Sequence, residues 1–297
     1  MRSIINILIA AGLATVFAAS GFSNDTMRWY FKRSSEAHQP PSAQEEIDIA
    51  QFGAYYLGDT SQKELYLTFD EGYENGYTEK ILDVLLEKNV PAAFFVTKSY
   101  IKANPELVER MIAEGHIVGN HTVRHKSSPS LSETEMISEL TEVAEYFKET
   151  TGLDMPPFFR PPMGEYSERV LAITQEQGYY TIFWSFAYED WIESKQPGAA
   201  AAHKKVVDSL HNGAILLLHA VSSSNAEAMA DIIDSARDMG YEFKSLYELP
   251  NIDIIVPFEN RLKASRESDM FQVVSQRSLK PSLKWNDNFG GGILWSK

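Results

Sequence analysis

The sequence contains no cysteine in its 297 residues. Thiol catalysis, cysteine-ligated zinc, disulfide stapling and a lipid-anchored N-terminal Cys are therefore excluded. The chain must be held by its own core, with a bound metal as the one further support. It also lacks any block of Lys or Arg, and its formal net charge is −14. Phosphate backbones are gripped by clustered positive charge, so a nucleic-acid partner is excluded as well. An acidic surface suits a neutral or amine-bearing polymer better. No internal repeat is visible.

What is present fits a globular chain, since 44% of the residues are hydrophobic, enough for a substantial core. The first twenty residues read as an address. Arg2 supplies a positive start, Ile4 to Ala19 is an apolar run, and Ala18, Ala19 and Ser20 offer small residues for cleavage. A signal peptide over 1–20 is the reading favoured over an uncleaved anchor, because the run is short for a membrane span. Processing would then leave no stable span.

Residues 21–60 are polar, with Pro40, Pro41 and the aromatics Trp29, Tyr30, Phe31, Tyr55 and Tyr56. They read as a lead-in that packs on a domain. From 61 to 250 strand-like and helix-like stretches alternate. Strands are expected at 65–69, 91–96, 117–120, 180–184, 214–218 and near Phe243. Helices are expected at 78–89, 105–114, 133–150, 167–177, 199–210 and 225–239. Such alternation implies parallel βα units, here about seven, and hence an α/β fold of the distorted (β/α)7-barrel type with a single catalytic domain. Residues 251–297 lack the alternation and carry Pro257, Pro281 and a Gly290–Gly292 run, so they read as a partly disordered C-terminal extension.

In a barrel of this kind chemistry sits beyond the C-terminal ends of the strands, and five polar clusters fall there. Asp70-Glu71-Gly72 follows the strand ending at Phe69. Adjacent acids can divide proton transfer and metal contact, or simply cap a turn. His121 and His125 stand four apart after the 117–120 strand, within reach of one divalent ion. That spacing does not choose among zinc, cobalt, nickel and iron, and two surface histidines would look alike. Arg160 opens a stiff Pro161-Pro162-Met163-Gly164 loop that could hold its guanidinium against a carboxylate such as Asp70, or merely cover a loop. Glu189-Asp190-Trp191 follows the strand ending at Trp184. Leu216-Leu217-Leu218 delivers His219 at a strand end, where a nearby Asp would favour the imidazolium, a proton donor for a leaving amine. Together these are candidate ligands, a base, an orienter and an acid, the set that metal-assisted hydrolysis of an amide or ester needs.

Thr68-Phe69-Asp70-Glu71-Gly72, His121-Thr122-x-x-His125, Arg160-Pro161-Pro162-x-Gly164, Asp190-Trp191 and Leu217-Leu218-His219 occur in an order that resembles the polysaccharide deacetylase (NodB-homology) family over roughly residues 60–250. A narrower likeness, carried by Trp29–Arg33, Tyr56–Asp59, Asp70–Gly76, Tyr179–Ser185 and His219–Ser222, is to the muramic δ-lactam-forming de-N-acetylases of spore-forming bacteria. The resemblance implies a hydrolase that deacetylates N-acetylmuramic acid in peptidoglycan glycan strands, acting as a secreted monomer at the cell wall or spore cortex. The same machinery would serve N-acetylglucosamine in peptidoglycan or chitin-like oligomers. A barrel that had lost its base or acid would be an inactive wall-binding module, but Asp70 and His219 are both present.

By the same resemblance Asp70 is the general base, Arg160 its orienter, His219 the acid and Asp190 the residue tuning it. His121, His125 and Glu71 would hold the divalent metal, zinc foremost, with cobalt, manganese or nickel as alternatives. The backbone N–H of Met163 would serve the oxyanion, and Trp191 and Leu217 would wall the acetyl pocket. The chain departs from the family pattern twice. Glu71 stands where most members have Asp and the δ-lactam-forming subgroup often has Asn, and Lys126 stands where Pro often follows the second His.

Overall fold

The computed structural model describes residues 21–34, 36–43 and 47–252, so the expected signal peptide and nearly all of the expected C-terminal extension lie outside the described residues. The architecture is a parallel sheet flanked by helices. In chain order its strands are β1 (Ala54–Tyr55), β2 (Glu64–Glu71), β3 (Ala92–Val96), β4 (Ile117–Asn120), β5 (Phe158–Phe159), β6 (Tyr180–Ile182), β7 (Ala214–Leu218) and β8 (Glu242–Phe243). They are ordered β7-β2-β3-β4-β5-β6-β1, with β8 also pairing β2, and every pairing is parallel.

The sheet curls into a distorted barrel. Its two edges approach at a seam where the Gly58 N–H donates to Gly213 O at 2.8 Å and Leu57 bridges Ala214. Gly213 is required there: its φ is +72°, and a Cβ would lie 2.9 Å from the Gly58 carbonyl.

The helices between strands are α1 (Thr78–Lys88), α2 (Lys98–Ala103), α3 (Pro105–Ala113), α4 (Glu133–Thr151), α5 (Glu168–Glu176), α6 (Ala199–Val207) and α7 (Ser223–Asp238). Local chemistry starts them. Ser132 and Glu135 form a capping box on α4, and Thr97, Ser167 and Ser222 cap α2, α5 and α7. Gly152, at φ +74°, ends α4.

Strand alternation divides the core into two layers. Tyr66, Ala93, Phe95, Ile117, Phe158, Ile182 and Ile215 fill the barrel interior. Leu65, Leu67, Phe69, Phe94, Val96, Leu216 and Leu218 face outward against the helices. Each such side chain, fully buried, contributes roughly 1.5–3 kcal/mol. The lead-in is seated by Trp29, which stacks on Phe183 at 4.5 Å, donates from its indole to Trp184 O at 2.9 Å and takes Gly164 O on its backbone N–H at 2.7 Å.

All six expected strands and six expected helices are present, with shifted boundaries. The 180–184 strand stops at Ile182, where the chain turns into the site loop. Several short elements escaped the sequence reading, among them three of the barrel. Strands β1 and β5 are two residues each, too short for a periodic signal, and α2 is a single capped turn and a half.

Candidate active site

Strand register places two of the candidate residues side by side. Leu218 of β7 is paired with Phe69 of β2, so His219 and Asp70 emerge next to each other at the C-terminal edge. Asp70 leaves β2 on the interior face, in step with Tyr66 and Thr68.

Arg160 reaches Asp70 from the end of β5. Its Nη1 donates to Asp70 Oδ1 at 2.8 Å, Nε donates to Ile182 O at 2.9 Å, and Nη2 donates to Phe183 O at 3.2 Å. The guanidinium is fully buried and lies over the Phe95 ring at 4.2 Å. Each of the three guanidinium nitrogens therefore donates at least one hydrogen bond, which fixes the Arg in one pose. Burial alone would raise the Asp70 carboxyl, but the charge and hydrogen bond of Arg160, aided by His219, outweigh it and hold Asp70 below the usual carboxylate range.

The two histidines stand on a loop that leaves β4. His121 Nδ1 donates to Arg160 O at 2.8 Å, which fixes the tautomer and leaves Nε2 as the free lone pair, 3.6 Å from Asp70 Oδ2. The His121 and His125 rings lie 4.9 Å apart. Burial pushes His121 down to about 4 and lowers His125 as well, so both are neutral imidazoles at neutral pH. The loop bends through left-handed backbone at Thr122 (φ 69°) and His125 (φ 51°). Buried Glu139 of α4 holds it: its Oε2 accepts the Val123 and Arg124 N–H groups at 2.7 and 2.9 Å, and its Oε1 accepts Arg124 Nε. Asn120 accepts the Thr122 N–H at 3.0 Å.

Glu71 is not brought to the histidines. It shares the outward face of β2 with Phe69, opposite Val96, and is fully buried with neither carboxylate oxygen hydrogen-bonded. Burial first, then the charges of Glu74, Asp70 and Asp190, raise it well above the usual carboxylate range. The two-residue period of a strand is the reason: once Asp70 faces inward, its neighbour faces the helices. Among the described residues, no set of three His, Cys, Asp or Glu is arranged to hold an ion.

Across the mouth, His219 Nδ1 donates to Asp190 Oδ1 at 2.7 Å, and its backbone N–H donates to Asp190 Oδ2 at 2.8 Å. Burial would lower His219, yet the hydrogen bond and charge of Asp190, with that of Asp70, raise it above its ordinary value. Trp191 is 45% exposed with its ring 5.4 Å from that of His219. Leu217 is buried on the interior face with Ile215, one step below His219. Met163 sits at the rim, 48% exposed, in left-handed backbone (φ 59°) within the short turn Pro162–Gly164. Asn225, Tyr188, Glu139 and Asn120 were not singled out from the sequence. None carries a chemical signature of its own: Asn120 and Tyr188 lie just before His121 and Asp190, and Glu139 and Asn225 stand on helices α4 and α7.

This constellation has known counterparts. A sequence profile described as polysaccharide deacetylase matches residues 57–182. The peptidoglycan-N-acetylmuramic acid deacetylase PdaA of Bacillus subtilis is 43% identical over 245 residues, covering 82% of this chain and 92% of PdaA. The chain belongs to the polysaccharide deacetylase family. The solved structure of that PdaA, a family 4 carbohydrate esterase, superposes with a TM-score of 0.74 at 44% identity, over 76% of this chain and 97% of the other. A family 4 carbohydrate esterase from Bacillus anthracis gives a TM-score of 0.65 at 46% identity, over 77% of this chain and 97% of its own. The chain is thus a hydrolase of the deacetylase class, acting on an amide C–N bond, and its α/β fold with a curled parallel sheet is the family's barrel. Deacetylases of this family are in general metal-dependent. Among the described residues no helix is long and apolar enough to cross a membrane.

Proposed function

We propose that the chain removes the acetyl group from N-acetylmuramic acid in peptidoglycan, freeing an amine that closes a δ-lactam on the lactyl group in spore cortex. The observation that carries this reading is the adjacency of an Arg-held carboxylate and an Asp-held imidazole on paired strands, Asp70 and His219, in a chain 43% identical to PdaA. The export-signal reading of residues 1–20 supports action outside the cytoplasm, at the wall or cortex, by a secreted monomer. Residues 61–250 would carry the catalytic domain, 21–60 the lead-in, and 251–297 an extension.

The donor set fits a divalent ion held by His121 Nε2 and His125, because both imidazoles are neutral and His121 is aimed by the Arg160 carbonyl. Zinc suits such ligands best, with cobalt, manganese or nickel able to replace it. When bound, the ion supplies Lewis acidity to the carbonyl and lowers the pKa of water. Asp70, kept ionised by Arg160, takes the proton from the attacking water. The Met163 N–H faces the developing oxyanion. His219, whose imidazolium form is favoured by Asp190, gives its Nε2 proton to the departing amine. Trp191 and Leu217 enclose the acetyl methyl. Glu71 is left outside this set by its orientation.

Mass spectrometry of muropeptides from treated peptidoglycan tests the proposal. Loss of acetyl from muramic acid, followed by loss of water as the lactam closes, is expected. Deacetylated glucosamine with intact muramic acid would overturn the substrate assignment in favour of the N-acetylglucosamine reading, and no acetate release at any metal would overturn the enzyme.

A further inference from the structure

The hydrogen bonds around His219 do not end at Asp190. Asp190 is fully buried, and its Oδ2 accepts Asn225 Nδ2 at 2.6 Å in addition to the His219 backbone N–H. Asn225 is itself fully buried, in the first turn of α7. Its side-chain oxygen accepts the Tyr188 hydroxyl, and its amide also reaches His219 O at 3.3 Å. The amide can point only one way. A carboxylate offers acceptors alone and a tyrosine hydroxyl supplies the matching donor, so a flipped amide would set oxygen against oxygen at Asp190.

Helix capping does not account for this side chain. Ser222 is the N-cap of α7, and its Oγ accepts the Asn225 backbone N–H at 3.1 Å. The amide is free for Asp190. Without it, both remaining bonds on the carboxylate come from His219, and nothing independent fixes the plane of Asp190. A carboxylate that can rotate no longer fixes the imidazole, because a site must hold its reacting groups to within about half an ångström.

We infer that Asn225, held by Tyr188, is a positioning residue for the acid step. It locks the Asp190 carboxylate so that His219 Nδ1 is fixed and Nε2 faces the leaving amine. This rests on the reading of His219 as the acid. The test compares the full chain with Asn225→Asp, Asn225→Ala and Tyr188→Phe, with His219→Ala as reference. Asn225→Asp keeps the shape but replaces the neutral amide donor by a second carboxyl that must repel Asp190 or share a proton with it, and Tyr188→Phe removes one O–H, so the test survives even if the alanine variant does not fold.

In wild type, a downfield proton resonance from His219 Nδ1–H, absent in His219→Ala, is expected. In Asn225→Asp and Asn225→Ala it should shift or vanish, kcat on peptidoglycan should fall about tenfold or more, and KM should stay within about twofold because ground-state binding is untouched. Tyr188→Phe should show a smaller loss of the same kind. An unchanged resonance with unchanged kcat in Asn225→Asp overturns the inference, as does a wild type lacking the resonance. If His219→Ala itself keeps wild-type kcat, the acid assignment fails instead. A loss in His219→Ala with none in either Asn225 variant overturns this inference alone.

Discussion

At the scale of single residues, the site is a set of charges whose partners decide their protonation. Arg160 and Asp70 form a buried pair, and removing either leaves the other uncompensated, at a cost of about 3–5 kcal/mol. The two histidine roles separate experimentally. His125→Ala should weaken zinc binding by about 10–100-fold in a chelator-competition titration. His219→Ala should leave zinc bound and lower kcat by ~10²–10⁴. Equal loss of zinc in both variants would refute the assignment. The raised pKa of His219 fixes the alkaline limb of the pH profile. An acid works only while protonated, so kcat/KM should hold through the ordinary histidine pKa and fall as pH rises through the folded value. Folding stability carries the same sign. The His219 contribution is complete below the unfolded pKa and is lost above the raised one, so His219→Ala should remove this part of the alkaline loss in thermal melts. A limb that persists unchanged in both measurements would assign it elsewhere.

At the scale of elements, loops do the positioning and helices hold the loops. Glu139 projects from α4, eighteen residues after His121 in sequence terms, and takes two backbone N–H groups of the His121–His125 loop. Removing its carboxylate leaves those donors unsatisfied, at roughly 1–3 kcal/mol each if they stay buried. Glu139→Ala should therefore lower the melting temperature, speed amide exchange at Val123 and Arg124, and weaken zinc binding. Unchanged exchange at those two amides would show that the loop holds itself. The same division of labour explains Gly164, whose φ of +65° and 2.8 Å approach to the Trp184 ring leave no room for a Cβ beside the Arg160 turn.

At the scale of the whole molecule, the curled parallel sheet gathers the five polar clusters at one edge, and an ion held by His121 and His125 would brace the loop that leaves β4. A ligand that binds only the folded state stabilises it by mass action, about 2.7 kcal/mol at a hundredfold excess over Kd. Chelation should abolish acetate release and lower the melting temperature, and zinc should restore both. With two protein ligands, the wild-type affinity should fall below that of Glu71→Asp only if the shorter acid can turn to the ion. Equal affinity in wild type, Glu71→Asp and Glu71→Gln is the outcome that the outward-facing Glu71 leads us to expect.

Much of this was legible before the structure. The strand ends at Phe69, Asn120 and Leu218 are marked by apolar runs stopping at polar residues, and that is enough to propose Asp70, His121 and His219, because strand period and barrel geometry are local and generic. The Glu71 side chain was not legible. Chemistry made it a candidate ligand, whereas strand alternation turned it into the helix layer once Asp70 faced inward. The sequence by itself determined the parallel α/β class and the order of the motifs, since these follow from residue type and short-range periodicity, and family resemblance made Asp70, His219 and the two histidines candidates for base, acid and ligands. Only the tertiary structure decided which carboxylate faces the barrel interior, which helix pins the histidine loop and that Asn225 and Tyr188 stand behind Asp190. Those contacts join residues distant in the chain, and no local pattern encodes where two separate elements meet.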